Sequence, residues 1–519
     1  MLPGEDRAAR RALLVCLAAG ATTLLDQAVL NIAVPSMRHS LGAGAGDVQW
    51  IVAGYSLAFG LALVPGGSLG DAYGRKRFFL LGVAAFLLAG AAAATGRGPG
   101  TLITARLVQG AAAGLVNSQV IGTIQDLFHG QTRGRALGLY AVTSGVATAL
   151  GPPLGGALVA ALGPELGWRC CLLLSAPCAV LTLALATRWL PPPRRTARDP
   201  RLDILGLALA CACTLTLMIP FIRTPDSGGE ALLWATGVAV LAVALTGHQR
   251  LRARRGRRPL LHPALSTSKP YLLGTAIAMA QFGAALASSL VLTVFLQEGL
   301  GLTALGTAAV TLPSALAMGV TSALAWRVVR RIGPRTVPLG LTLGIGAALT
   351  GSAVALTTPA AALPAALAGV QLLTGAAAGL TVSPNQTQVL LHAPADAAGV
   401  AGGVLQMAQR IAAAVCLSAV PAVYLHSAPT PPGGSGPRSA YALAACACAG
   451  LLAVALVLSR LRTYGPGRHP GRRPPVEADT GTAGRELAVP QGHTPPGTSH
   501  GRGRIPASRP LPDRRSEAS

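Results

Sequence analysis

Charge is scarce in this sequence, and acid is scarcer than base. Only 12% of the 519 residues are Asp, Glu, Lys or Arg, where a soluble domain carries about a quarter. Set against 51% hydrophobic residues, that shortage excludes a soluble globular domain and indicates an integral membrane protein. Aromatic residues make up 4%, too few to interleave a nucleic-acid-binding patch. The net charge of +24 lies in short segments between apolar runs and in the C-terminal tail, where membrane topology accounts for it and no nucleic-acid partner is needed. The nine cysteines all fall in apolar runs without a Cys/His partner set, so neither disulfides nor a metal is expected. No Gly-x-x-x-x-Gly-Lys-Ser/Thr phosphate loop occurs, so ATP is not implied. The first apolar run continues too long for a cleavable signal peptide. Arg greatly outnumbers Lys, which points to a GC-rich bacterial genome.

What the chain has instead is a series of apolar runs of membrane-crossing length, about 20 residues each. Roughly fourteen can be drawn between residues 11 and 460, giving an all-α polytopic membrane protein. Alternate loops are rich in arginine: Arg75–Arg77, Arg133 and Arg135, Arg194–Arg201, Arg250–Arg258 and Arg327–Arg335. The loops between them hold few, which predicts a multi-pass protein of the cell membrane with both termini cytoplasmic. The reading divides into a cytoplasmic N-terminus (1–10), a six-helix bundle (11–190), two inserted helices (202–247), a basic cytoplasmic loop (248–269), a second six-helix bundle (270–461) and a disordered basic tail (464–519). The tail is Pro-, Gly-, Arg- and Ser-rich and cannot bury enough apolar surface to order itself.

Two segments indicate a repeat. Gly67–Arg77 (GSLGDAYGRKR) is read as a short loop between two apolar helices, with Gly67 and Gly74 for tight turns and close packing, Asp71 to cap or pair, and Arg75, Lys76 and Arg77 as its basic end. The segment Trp326–Thr336 places Gly333 and Arg335 where the first has Gly74 and Lys76, as expected of a transporter built from internal repeats.

Among the 18 acids Asp26 alone lies well inside a predicted span, and intramembrane carboxylates are functional candidates by default. It is read as a proton carrier; the competing reading is a structural acid hydrogen-bonded to Thr22, Thr23 or Asn31. Arg106 is the matching buried base, with Gln109 at i+3 in the same network; a structural role is equally open to it. Gly145, Gly151, Gly155 and Gly156 with Pro152 mark a span suited to close helix contact and a bend. Gln406 and Arg410, at i,i+4, share one helix face. With Asn31 and Gln109 they are the candidate cavity residues, and Arg410 suits either an anionic substrate, a carboxylate or a structural role.

The Gly67–Arg77 pattern resembles the loop between helices 2 and 3 of major facilitator superfamily transporters. LLDQAVLNIAVP (24–35), LITARLVQGAAAG (102–114), ALGPPLGG (149–156), Trp168–Arg169 and RLDILG (201–206) are similar to motifs of its fourteen-span drug/proton antiporters. Ala72, Ala147 and the Ser175–Pro177 triplet depart from the family pattern. The resemblance implies the major facilitator fold, two six-helix bundles with two extra helices between them. It implies a bacterial, monomeric multidrug exporter, not an enzyme, that exchanges hydrophobic or amphipathic small molecules for protons without a cofactor. Asp26 and Arg106 would then couple protons, Asp71 and Arg75 would act as a conformational latch, and the bend around Pro152 would limit proton leak. Few buried charges suit a largely apolar cargo, or a cation attracted by Asp26. A nutrient importer or uniporter of the same fold, or a polytopic membrane enzyme, is the alternative.

Overall fold

A computed structural model describes residues 7–128, 130–192, 203–223, 228–257, 263–393, 398–427 and 436–464. The expected tail, apart from its first residue, lies outside them. All regular structure among the described residues is helical: α1 (Arg7–Leu41), α2 (Ala45–Tyr73), α3 (Arg75–Thr95), α4 (Pro99–Leu127), α5 (Gly130–Leu173), α6 (Ala176–Trp189), α7 (Ile204–Ile222), α8 (Gly228–Arg254), the short α9 (Pro263–Thr267), α10 (Lys269–Val294), α11 (Ala304–Ile332), α12 (Thr336–Thr357), α13 (Leu363–Leu391), α14 (Ala398–Ser427) and α15 (Gly436–Tyr464).

Eleven runs among the described residues are long and apolar enough to cross a membrane. Two of them, of 55 and 54 residues, each hold two successive spans. The 29-residue α4 is equally long but carries Arg106, Gln109 and Asn117 in its buried face. That makes fourteen spans.

The two halves repeat one packing scheme. In the first, α1 packs on α5 and α6, α4 on α2 and α3, and α3 on α6; in the second, α10 packs on α14 and α15, α13 on α11 and α12, and α12 on α15. The fifth span of each half crosses to the second span of the other, α5 on α11 and α14 on α2. A shared pentapeptide explains part of this symmetry. Gly-Ala-Ala-Ala-Gly occurs at 110–114 in α4 and again at 375–379 in α13. A Cβ at Gly110 or Gly114 would lie 2.3 or 2.2 Å from the carbonyl oxygen of Tyr55 or Phe59 in α2. At Gly375 it would lie 2.0 Å from that of Ser314 in α11. Only glycine admits such backbone approach.

The loop expected over 67–77 is shorter than its sequence suggests. Helix α2 runs on to Tyr73, α3 begins at Arg75, and Gly74 alone makes the turn with φ +98°. Gly333, with φ +56°, makes the matching turn after α11. Gly67 makes neither turn nor close contact, since a Cβ there would meet nothing within 4 Å. In α5, Pro152 and Pro153 sit inside continuous helix, and the break falls at Gly163 (φ +78°). The sixth span starts after that glycine and is interrupted again at Leu174–Ser175 before α6 completes it.

The halves share one apolar core at the end of the bundle that carries Arg38, where Val34, Met37 and Ile51 meet Val291, Phe295, Leu296 and Tyr424. Arg38 pairs there with Glu298 at 2.5 Å, and Gln297 Nε2 donates to the Ile32 carbonyl at 3.1 Å. At the Arg75 end two clusters form, one around Phe79, Val83 and Val120 that also takes in Met407 of α14, the other around Tyr271, Val389 and Val404.

Helices α7 and α8 lie against each other, and α7 packs on α2 and α14. Asp203 ties them: its carboxylate accepts from the Gly206 N–H at 2.9 Å and Gln249 Nε2 at 2.8 Å, and meets His248 Nε2 at 2.8 Å and Arg252 Nε at 3.5 Å. Burial pushes the carboxyl up, but the bonds from His248, Gly206 and Gln249 and the charge of Arg252 outweigh it and hold the group below its ordinary value of 3.8. A depressed carboxyl stabilises fully above the unfolded value and loses that contribution as pH falls through the folded one. Amide hydrogens around residues 204–208 are therefore expected to exchange slowly at neutral pH and to lose protection below pH 3.8, relative to α10. Asp203→Asn should flatten that pH profile; an unchanged profile would remove Asp203 from the account.

Candidate functional site

Asp26 lies midway along α1 and is shut off from solvent, its side chain 0% and that of Arg106 1% exposed. Asp26 Oδ2 accepts from Arg106 Nη1 at 2.7 Å. Its Oδ1 accepts from Gln109 Nε2 at 3.0 Å and from Ser175 Oγ at 3.2 Å. Gln109 Oε1 closes the ring by accepting from Arg106 Nη1 at 2.7 Å. The Tyr55 ring lies 4.2 Å from the guanidinium carbon. Two side chains of α4 and the Ser175 hydroxyl therefore satisfy the buried Asp26 carboxylate, as burial of such a group requires.

Local sequence accounts for each part. Arg106 and Gln109 are i and i+3 on α4, so both reach the same side. Gly110, the next residue, lets α4 close onto α2 and brings Tyr55 beneath the guanidinium. Ser175 stands where Pro177 interrupts the sixth span, freeing its hydroxyl to face α1. Thr22 and Thr23 are not partners of Asp26; their hydroxyls donate back to the Ala18, Ala19 and Gly20 carbonyls of α1. Gln109 belongs to this closed network and not to the cavity set in which the sequence placed it.

A second centre lies between the halves. Arg410, near the middle of α14 and 7% exposed, donates from Nη1 to Gln27 Oε1 of α1 at 2.5 Å. Its guanidinium carbon is 4.1 Å from the Phe59 ring and 5.2 Å from that of Phe282. Gly60 makes the crossing tight: a Cβ there would meet that of Arg410 at 2.9 Å. Asn31 and Gln406 are half-buried, one turn from Gln27 and Arg410 on their helices.

The family description Major Facilitator Superfamily matches residues 16–416. The chain belongs to the major facilitator superfamily. It is 36% identical over 303 residues to the probable actinorhodin transporter of Streptomyces coelicolor, a match covering 57% of this chain and 52% of that protein, so it spans about half of that relative's length. It is 32% identical over 466 residues to the puromycin resistance protein of Streptomyces alboniger, covering 86% and 90%. The tetracenomycin C resistance and export protein of Streptomyces glaucescens is 28% identical over 75% of this chain and 70% of its own. Among solved structures, a bacterial homologue of the lysosomal transporter Spinster, inward-facing, superposes with TM-score 0.62 over 89% of this chain and 98% of its own at 14% identity. The inward-open xylose transporter XylE of E. coli gives 0.58 over 89% and 97% at 16% identity. At such identities the structures establish the fold alone.

In this facilitator the loop motif acts within the first half. Arg75 bridges Asp71 of α2 at 2.6 Å and Asp126 at the end of α4, also at 2.6 Å. Gly122 clears the space that the Arg75 guanidinium fills. Lys76 donates to the Thr187 and Leu190 carbonyls at the end of α6, at 2.6 and 3.0 Å. The motif thus ties four helices of one half. The antiporter-type motif of the facilitator reaches across. Gly151 and Gly155 face Ala28, Val29 and Ile32 of α1, and Gly156 faces Ala304 and Ala308 of α11. Gly145 meets nothing within 4 Å. Sequence reading missed Ser175, Gln27 and Asp126. Ser175 was visible only as a family departure, and only the fold brings Gln27 to Arg410 and Asp126 to Arg75.

Proposed function

We propose that this facilitator exports hydrophobic or amphipathic small molecules, antibiotic-like compounds among them, in exchange for protons and without a cofactor. The Asp26–Arg106 pair carries the reading: one carboxylate, at mid-height, sealed from solvent and held by a cation it must release when protonated. Several relatives carry names of antibiotic resistance or export proteins, which supports the cargo class. The arginine-rich loops assign the Arg75 end and both termini to the cytoplasm. The end closed by Arg38 and Glu298 then faces outward. Movement of the halves carries the Asp26 network from a sealed, ion-paired form to one open to a proton from outside. The protein works as a monomer.

The test is substrate-induced proton movement in inside-out vesicles with an imposed proton gradient. Antibiotics and dyes should partly collapse the gradient with the intact protein, and Asp26→Asn should reduce the response ~100-fold or more, the lower end of the range for a positioned proton-transfer group. Equal responses would leave Asp26 structural. A nutrient uniporter would move its solute with no proton at all.

A further inference from the structure

We infer that the site between the halves binds an anionic group of the cargo, so that the preferred substrates are aromatic compounds bearing a carboxylate or phenolate. This rests on the export reading above and specifies its substrate class.

Three observations converge on Arg410. The first is an excess of charge. Among the described residues the helix interior at this height holds one acid, Asp26, and two guanidiniums. Arg106 consumes the acid completely. Arg410 forms no ion pair with any described residue, and its one hydrogen bond is to the neutral Gln27. A guanidinium offers five donors, so four remain for another acceptor. The cost of holding an uncompensated cation within a membrane span falls when an anion joins it.

The second is placement. Arg410 lies where α14 of one half crosses α2 of the other and reaches Gln27 of α1, the repeat interface at which transporters of this architecture bind cargo. Asp26 points from the same stretch of α1 into its own half, behind Gln109 and Ser175. It is therefore not available to a cation, contrary to the expectation drawn from the sequence.

The third is the shape of the surroundings. Phe59 covers the face of the guanidinium at 4.1 Å, with Phe282 at 5.2 Å. A stacked guanidinium keeps its N–H edge free for a planar acid. Phe59 is buried behind the guanidinium, and the half-buried Phe282 supplies apolar surface for the ring system attached to that acid. Asn31 and Gln406, a turn away on either side, make no side-chain hydrogen bond among the described residues and can meet hydroxyl or carbonyl groups of the same molecule.

The test compares two dyes of one shape and opposite charge, anionic fluorescein and cationic rhodamine 123, by fluorescence polarisation on the purified protein in lipid nanodiscs. The intact protein should bind fluorescein at least ~10-fold more tightly, the scale of a charge-assisted hydrogen bond. Arg410→Gln should remove that preference and Arg410→Lys should keep part of it. Tighter binding of rhodamine, no binding of fluorescein, or a preference unchanged in Arg410→Gln would each overturn the inference. The order of the two dyes on the intact protein decides the matter even if Arg410→Gln fails to fold. Proton movement in the vesicles reports separately. Anion binding with no proton movement would sink the export reading alone, and proton exchange driven only by the cation would sink this one alone.

Discussion

Arg106→Leu is expected to destabilise the protein by about 3–5 kcal/mol, the usual consequence of breaking a buried ion pair from one side. The substitution leaves Asp26 ionised or forces it to take a proton, in a site whose side chain is 0% exposed. Gln109 and Ser175 supply hydrogen bonds but no charge, and Tyr55 loses the cation above its ring. Changing both partners should behave differently. Asp26→Asn with Arg106→Gln keeps polar groups at similar positions and removes both charges, so most of the stability should return. Transport coupling should not return, because no titrating group remains. Thermal unfolding of the purified variants in one detergent separates the two. A loss under about 1 kcal/mol for Arg106→Leu, the range of an exposed pair, would mean that the site is wetter than its geometry indicates. A double variant no more stable than Arg106→Leu would assign the loss to packing around the guanidinium stem.

Gly110→Ala and Gly375→Ala should each cost about 1–3 kcal/mol, as overpacked contacts do. The two positions are equivalent in the two halves. An added Cβ would fall 2.3 Å from the Tyr55 carbonyl oxygen in one and 2.0 Å from the Ser314 carbonyl oxygen in the other. In each the obstacle is backbone, which cannot rotate aside as a side chain would. Gly346→Ala is the control, since nothing lies within 4 Å of its Cβ. That change should be neutral or stabilise by roughly 0.5–1 kcal/mol through helix propensity. Equal melting temperatures for all three variants would show that α4 and α13 have room to retreat from α2 and α11.

The fold was largely legible because a membrane imposes strict rules on composition. Apolar runs separated by arginine-rich loops locate spans without any knowledge of packing. Rarity did the same for the site: one acid inside a span and one base inside another were conspicuous, and they are partners at 2.7 Å. Glycine was harder to read. Gly67 and Gly145 stood in familiar motifs yet meet nothing, while the Gly-Ala-Ala-Ala-Gly segments, read as part of a fourth-helix motif or passed over, set the closest helix approaches in both halves. A glycine's neighbour depends on helix rotation, which apolar spans with little amphipathic pattern do not reveal. Ser175 was hidden for another reason. Its role comes from an interruption in the sixth span that the sequence placed at a family departure without assigning it a geometry.

The lack of an acid beside Arg410 has an electrical consequence. If an organic anion leaves the cell while a proton enters, two positive charges move inward in each turn. A membrane potential of 100 mV, negative inside, then contributes roughly 2.3 kcal/mol per charge, which for two charges sustains a cargo gradient of about three orders of magnitude. Such an exporter would keep working in cells whose internal and external pH are equal, and under that condition it would stall when the potential is short-circuited with potassium and valinomycin.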